Sequence, residues 1–307
     1  MDTSLLKSSL LLKRYEDRSK ALGLSPLSIV NYLCDVRAFL RYLDEEEKLE
    51  LLKDVDKRIV LRYQSYLYSH PKGYCLRTQS KKLQGLKHFF RFLEDEDILL
   101  HDPTTQLRLP KIPKVLPLNL PSEKEMKKLL NSIDLDDWRG LRDRAMLEVL
   151  YSTGIRSSEL MNLSLDAIDR DNKLLKIYSG KGQKDRVVPI GSIALHYLEL
   201  YLTQSRKKFL KHEGDKRVFL TSRGNSVKSE NGADILRRWT KHAGITKSIH
   251  PHSLRHAMAT HMLKGGAPIR HIQEILGHAS LGTTQLYTKV EISDLQRVHK
   301  RTHPRER

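Results

Sequence analysis

The chain has 307 residues, of which 55 are lysine or arginine and 37 are aspartate or glutamate, so its formal charge is +18. Hydrophobic residues make up 39% of it, enough for buried cores, and the length favours two domains. A balance this basic indicates a polyanionic partner such as nucleic acid, because binding to phosphates releases counterions. Charge alone leaves two other readings open, an ordinary basic protein and one that sits on anionic membrane.

Cys34 and Cys75 are the only cysteines, which excludes a disulfide framework and a cysteine metal site. A reducing cytoplasm is therefore the expected compartment. The apolar residues near the start are interrupted by Lys13 and Arg14, so we expect no signal peptide. No apolar run is long enough to cross a bilayer, and we expect no membrane partner.

The first part of the chain has the pattern of helices. Ser25 and Pro26 predict a helix start, because serine caps helices and proline suits the first turn. Apolar residues then recur at three- and four-residue steps and predict one buried face. They are Ile29, Val30, Leu33, Val36, Phe39, Leu40 and Leu43. A further helix is expected from about Asp56 to His70.

The last helix of this part is expected to bury Leu83, Leu86, Phe89, Phe90 and Leu93. Its other face is basic and is interpreted either as a phosphate-binding face or as an ordinary solvated one. That face carries Lys81, Lys82, Lys87, His88 and Arg91.

Four prolines, Pro110, Pro113, Pro117 and Pro121, then fall within one short stretch. Proline has no amide donor and a fixed φ, so the stretch is predicted to be neither helix nor central strand. We interpret residues 110–121 as a semi-rigid linker between two domains, 1–109 and 122–307.

The second domain is predicted to be rich in helix with a small antiparallel sheet. Ser122 and Glu125 have the spacing of a capping box, and a helix is expected over about 141–151. Two short strands, 174–178 and 186–190, flank a turn whose glycines suit a tight hairpin. The fold class is therefore mainly α, with a four-helix first domain.

Several basic or nucleophilic residues stand at the turns of the second domain. Arg156 precedes a helix that contains Glu159, and Lys181 lies at the hairpin tip between two glycines. His252 and Arg255 share one helical face if their segment is helical. His278 follows Gly277, which suits a helix C-cap, and Tyr287 comes after it in the same terminal segment. Each residue alone is commonly a surface or core side chain, but together they fit one reaction.

That reaction is the attack of a tyrosine hydroxyl on a DNA phosphodiester. Arg156 and Arg255 would offer forked donors to the phosphate oxygens, and Lys181 would protonate the leaving oxygen. His252 and His278 would donate to phosphate oxygens or manage the proton of Tyr287, whose phenol has an ordinary pKa of about 10. These cations make a metal unnecessary, and no cofactor is expected.

A histidine metal site is the competing interpretation of His252, His256 and His261. No HExxH pair occurs and no carboxylate stands nearby at ligand spacing, so we expect no metal. His256 and His261 are instead expected to be packed, hydrogen-bonded side chains.

These segments resemble the motifs of tyrosine recombinases, in their Xer-like branch. Residues 153–160 resemble the first arginine motif, and residues 180–186 resemble the lysine hairpin. Residues 252–261 resemble the HxxR box, and residues 276–287 the terminal tyrosine box. Ser25–Ser28 and Asp102–Thr104 extend the resemblance to the first domain, so that it spans nearly the whole chain.

The resemblance implies a core-binding and a catalytic domain that clamp double-stranded DNA at a specific recombination site. It implies cleavage through a 3′-phosphotyrosyl link, rejoining without ATP, and strand exchange through a Holliday junction by a homotetramer or a heterotetramer with a related recombinase. The C-terminal helix, Glu291 to His299, would pack on a neighbouring protomer. The location would be the cytoplasm, in association with the nucleoid, and the task dimer resolution or movement of a mobile element.

Two alternatives stay open at this point. One is a type IB topoisomerase-like relaxase, which cleaves without exchanging partners. The other is a DNA-binding protein that kept the fold and lost catalysis.

Overall fold

In the computed structural model, residues 9–113, 120–178, 185–227, 229–277 and 292–306 are described. The chain divides into two compact units, 1–115 and 116–307, each with its own hydrophobic core. The predicted linker, 110–121, falls partly on residues outside the described ranges. Among the described residues, no helix is long and apolar enough to cross a membrane.

The described part of the first unit consists mainly of four α-helices. They are α1 (Ser9–Ala21), α2 (Pro26–Tyr42), α3 (Lys57–Ser69) and α4 (Leu76–Asp95). The hydroxyl of Ser25 caps α2 and the carboxylate of Asp56 caps α3, each accepting a backbone N–H of the first turn. Aromatic rings fill the centre, where Phe39 meets Tyr63 and Phe90 edge to face.

Two details of the first unit differ from the sequence-based expectation. Val30 was placed on the buried face of α2 but is 55% exposed, because its position lies at the margin of the apolar stripe. The basic face of α4 is also not uniformly solvated. Lys82 pairs with the buried Asp35 at 3.6 Å, and His88 hydrogen-bonds the hydroxyl of Tyr15 at 2.7 Å.

The second unit is mainly helical and carries one small sheet, which confirms the predicted fold class. Its first helices are α5 (Glu123–Asn131), α6 (Trp138–Thr153) and α7 (Ser157–Met161). After the sheet come α8 (Ser192–Leu200), α9 (Arg206–Phe209), α10 (Ser229–His242), α11 (Pro251–Lys264), α12 (Ile269–Leu276) and α13 (Ile292–Thr302). Helix α6 is buried along almost its whole length and forms the centre of the unit.

The sheet has three antiparallel strands, β1 (Ile168–Asp169), β2 (Leu174–Ile177) and β3 (Arg186–Pro189). The sequence predicted β2 and β3 but not the two-residue β1, which is too short to give an alternating pattern. In the β2–β3 register, Leu175 lies opposite Val188 and Ile177 opposite Arg186. This register places Arg186 at the hairpin end of the sheet.

Helix α13 packs against β3, α11 and α12 of its own chain. Leu295 and Val298 are buried in this contact, and the His299 imidazole lies 2.6 Å from the carbonyl of Ser152. The described part of this helix thus packs on its own unit in the single chain. Packing of residues 291–299 on a neighbouring protomer stays a prediction.

Candidate active site

The first element of the site is the turn that joins α6 to α7. Gly154 ends α6 with a φ of +62°, a conformation that glycine adopts at little cost. A Cβ at this position would lie 2.1 Å from Cε of Met258. The turn therefore requires glycine for both its backbone angle and its close packing. Arg156 follows in an extended conformation at the N-cap of α7, with its side chain 38% exposed.

Glu159 holds Arg156 in place. Its carboxylate accepts from the backbone N–H of Arg156 at 2.7 Å and from the Arg156 guanidinium at 2.9 Å. Arg186 of β3 approaches the same carboxylate with both terminal nitrogens, at 2.8 Å each. Burial alone would raise the pKa of Glu159, but the hydrogen bonds from Arg186 and from the Arg156 backbone, with the charge of Arg186, lower it to about 2. The sequence proposed Glu159 as a supporting residue and assigned no role to Arg186.

Arg255 of α11 joins this turn to the end of α12. Its guanidinium is buried and donates to the carbonyl of Gly154 and to the carbonyl of Leu276, at 2.5 Å each. Burial, followed by the positive charges of Arg156 and Arg186, lowers the pKa of Arg255 to about 10. It stays protonated at neutral pH. Arg156 and Arg186 both bond the Glu159 carboxylate, and Arg255 adds a third positive charge nearby, so the cluster has a net positive charge that suits an anion.

His252 lies on the exposed side of α11, three residues before Arg255. Its Nε2 is 3.0 Å from Nε2 of His256, with the rings edge to face and 4.4 Å between centroids. A bond between these two nitrogens needs a proton on one of them and a lone pair on the other, so the pair shares a proton. His256 is hydrogen-bonded as expected, but its partner is a proposed catalytic residue.

His261 is buried on α11 and its Nδ1 lies 2.8 Å from the hydroxyl of Tyr151. This agrees with its expected role as a packed, hydrogen-bonded side chain. Among the residues that the structure describes, no group of three or more histidine, cysteine or carboxylate side chains could hold a metal ion.

Three of the proposed catalytic residues, Lys181, His278 and Tyr287, lie outside the described residues. The elements that flank them are described. Strand β3 begins at Arg186, five positions after Lys181. Helix α12 ends at Gly277, whose φ is +64°, directly before His278, and this confirms the predicted glycine C-cap.

The structure therefore brings together three residues that the sequence proposed, Arg156, Glu159 and Arg255, and places His252 one helical turn before Arg255 on α11. It adds Arg186, which belongs to the hairpin motif and had no function assigned from the sequence. Its only signal in the sequence was its place next to the hairpin, because its partner Glu159 lies 27 residues away.

Comparison with known proteins identifies the family of the chain. Residues 121–293 match the phage integrase family, and residues 12–97 match the phage integrase N-terminal SAM-like domain. The chain is a member of the phage integrase family of tyrosine recombinases. It is 42% identical to the tyrosine recombinase XerC 2 of Ralstonia nicotianae, over 88% of this chain and 78% of that protein. It is 38% identical to the tyrosine recombinase XerD of Pseudomonas putida, over 92% of this chain and 93% of that protein.

The fold is shared with solved members of the same family. The XerH recombinase bound to its difH substrate in a pre-cleavage complex superposes with a TM-score of 0.69. The match covers 96% of this chain and 82% of XerH at 22% identity. The likeness to both XerC and XerD at similar identity places this recombinase in the Xer-like branch.

Proposed function

We propose that this Xer-like recombinase cleaves and rejoins double-stranded DNA at a specific site, with Tyr287 as its nucleophile. The observation that carries the proposal is the meeting of Arg156 and Arg255 at one turn. Glu159 fixes the first, and the carbonyls of Gly154 and Leu276 fix the second. Two preorganised guanidiniums can stabilise the charge that develops on phosphate oxygens in the transition state.

The proposed reaction forms a bond between the Tyr287 oxygen and phosphorus and breaks the bond from phosphorus to the 5′ oxygen. The product is a 3′-phosphotyrosyl link and a free 5′-hydroxyl. Lys181 gives its proton to the leaving oxygen, while His252 and His278 donate to phosphate oxygens or receive the phenol proton. The reverse reaction with the 5′-hydroxyl of another strand restores the phosphodiester. Its bond energy is kept, so no ATP is needed, and the cationic side chains take the place of a metal.

His256 extends this scheme. Because its Nε2 hydrogen-bonds Nε2 of His252 at 3.0 Å, it can fix the orientation of the His252 ring.

Strand exchange needs a second DNA site and further protomers. We propose a homotetramer, or a heterotetramer with a related recombinase, that acts on two sites through a Holliday junction. Relatives named as XerC and XerD recombinases favour exchange over relaxation of the topoisomerase type. The DNA site that the protein selects decides whether its substrate is a chromosome, a plasmid or a mobile element.

The test begins by selecting bound fragments from sheared genomic DNA and sequencing them. A duplex of the selected site, nicked beside the scissile phosphate, traps the covalent intermediate because the released fragment diffuses away. We expect an adduct that survives denaturant, forms in EDTA without ATP, and is lost in Tyr287→Phe. Tyr178→Phe, at a tyrosine that is 61% exposed in the same unit, is the matched control and should form the adduct normally.

An adduct that persists in Tyr287→Phe would refute the nucleophile. Dependence on a divalent metal would refute the metal-independent mechanism. Holliday junctions formed from two labelled sites would support exchange, whereas relaxation of supercoiled DNA with no junction would support the topoisomerase-like alternative.

A further inference from the structure

Arg186 makes more contacts with the candidate active site than its place in a hairpin motif indicates. It is the first residue of β3, and its side chain is 12% exposed. Its two terminal nitrogens each donate to a different oxygen of Glu159, at 2.8 Å. This bidentate geometry is the strongest pairing that an arginine and a carboxylate form, and it fixes the plane of both groups.

The pairing decides how strongly Glu159 binds Arg156. The fork of Arg186 occupies one side of the Glu159 carboxylate, so the Arg156 guanidinium makes a single bond to it, from Nη1 at 2.9 Å. Arg156 is left 38% exposed. Without Arg186, the carboxylate would have lost its bidentate partner and would depend on Arg156 for a bonded positive charge. It would then compete with a phosphate for the same guanidinium.

A second contact of Arg186 reaches the end of α12. Its Nε donates to the carbonyl of Ile275 at 3.3 Å, next to the carbonyl of Leu276 that accepts from Arg255. Two arginines from different elements thus hold consecutive carbonyls at the negative end of one helix. Gly277 lies against the Arg186 side chain, because a Cβ there would be 2.8 Å from its Cδ.

We infer that Arg186 is a positioning residue for the cleavage reaction. It neutralises and orients Glu159, so that Arg156 is held in place and yet free to bind the scissile phosphate. The inference rests on the proposed function, and it identifies Arg186 as the residue that controls how strongly Arg156 can bind the scissile phosphate.

The test compares four proteins in single-turnover cleavage of the nicked site: the wild type, Arg186→Gln, Glu159→Gln and the double variant. We expect Arg186→Gln to form the adduct at least about 10-fold more slowly at saturating protein, with the dissociation constant for the duplex unchanged within about two-fold. The double variant should be faster than Arg186→Gln, because no carboxylate is left to capture Arg156. Rescue of this kind is not expected of a residue that only supports the fold.

A second readout uses a methylphosphonate at the scissile position. Replacing a non-bridging oxygen by methyl removes the charge that Arg156 would neutralise. The ratio of wild-type to Arg186→Gln rates should therefore fall towards one on this substrate. Arg186→Lys keeps the positive charge without the fork, and its cleavage rate should lie between those of the wild type and Arg186→Gln. A thermal melt shows whether Arg186→Gln folds, and if it does not, Arg186→Lys takes its place in the comparison.

The matched control is Arg170→Gln, which breaks an exposed arginine–glutamate pair with Glu199 elsewhere in the same unit. Its rate should equal that of the wild type. A double variant as slow as Arg186→Gln, or an equal loss on phosphate and methylphosphonate, would overturn the inference and leave the proposed function standing. A wild type that forms no adduct would instead refute the proposed function, and the inference with it.

Discussion

His303 lies parallel to His299, with ring centroids 4.8 Å apart and an angle of 8° between the planes. Both imidazoles are buried, and each lies within hydrogen-bond distance of a carbonyl at the end of α6, His299 of Ser152 and His303 of Tyr151. Burial, and for His303 also the neighbouring His299, lowers the pKa of each below its ordinary value of 6.5. The C-terminal segment is therefore seated with both rings neutral.

This pair predicts a loss of stability in mild acid. The unfolded chain binds protons on these histidines below pH 6.5 and the folded chain does not. Their contribution is therefore complete above pH 6.5 and falls as the pH drops below it, with a slope of up to about 1.4 kcal/mol per pH unit for each histidine. His261 and Arg305 lower the pKa of His303 further, whereas the carboxylate of Glu306 acts in the opposite direction on His299, where burial outweighs it.

Denaturant melts between pH 7.5 and pH 5, at about half-unit steps, measure this slope. The slope should flatten in His303→Gln and stay unchanged in His212→Gln, where the histidine is exposed. Equal slopes in the wild type and His303→Gln would contradict the prediction.

Gly277→Ala is predicted to lower the unfolding free energy more than an alanine substitution at a positive φ does in open space. The φ of +64° costs about 1 kcal/mol for alanine, and its Cβ would also press within 2.8 Å of Arg186. Gly266→Ala is the matched control, since its φ is +88° at the end of α11 and nothing lies within 4 Å. Unfolding free energies should differ between the two variants, with Gly277→Ala lower and also slower in adduct formation. Similar losses of unfolding free energy in both variants would show that the Arg186 side chain moves aside at little cost and would contradict the prediction.

Asp143 is predicted to be a stability centre of the second unit. It is fully buried on α6, and its carboxylate accepts from Arg142, Arg238 and the indole of Trp239. Asp143→Ala removes the carboxylate that neutralises the buried Arg142 and should cost about 3–5 kcal/mol of unfolding free energy.

Asp234 provides the control for Asp143, because it also pairs with an arginine of α10, Arg237, but at the surface. Asp234→Ala should change the unfolding free energy by less than about 0.5 kcal/mol. A small effect in both variants, measured by denaturant titration, would contradict a structural role for Asp143.

The positive cluster predicts an oxyanion site that is detectable without DNA. Sulfate bound between Arg156 and Arg255 should stabilise the fold by about 1 kcal/mol when its concentration is about five times its dissociation constant. Melting temperatures in sulfate and chloride at equal ionic strength measure the effect. Sulfate also stabilises proteins in general, and Arg156→Gln should keep that part of the shift in melting temperature. It should lose the additional part that comes from sulfate bound at the site. The same sulfate shift in both proteins would contradict the site.

Short-range patterns were enough to predict the local structure. Ser25, Asp56 and the pair Ser122–Glu125 cap their helices through bonds to residues three positions away. The apolar periods and the hairpin glycines likewise predicted α2, α3, β2 and β3. The order of the motifs that indicated the family could also be read from the sequence, because each motif is a local segment.

What the sequence determined about this protein was therefore its class, its helical plan and the residue types of its site. What the tertiary structure decided was which charges meet: Arg186 with Glu159, and Arg255 with the carbonyls of Gly154 and Leu276. It also placed α13 on its own chain, with His299 against a carbonyl 147 residues earlier. These contacts depend on how α6, β3, α11 and α12 pack, and pairing across such separations leaves no periodic signal in the sequence. Burial then fixes their energies, because a charge excluded from water depends on the partners that the fold supplies.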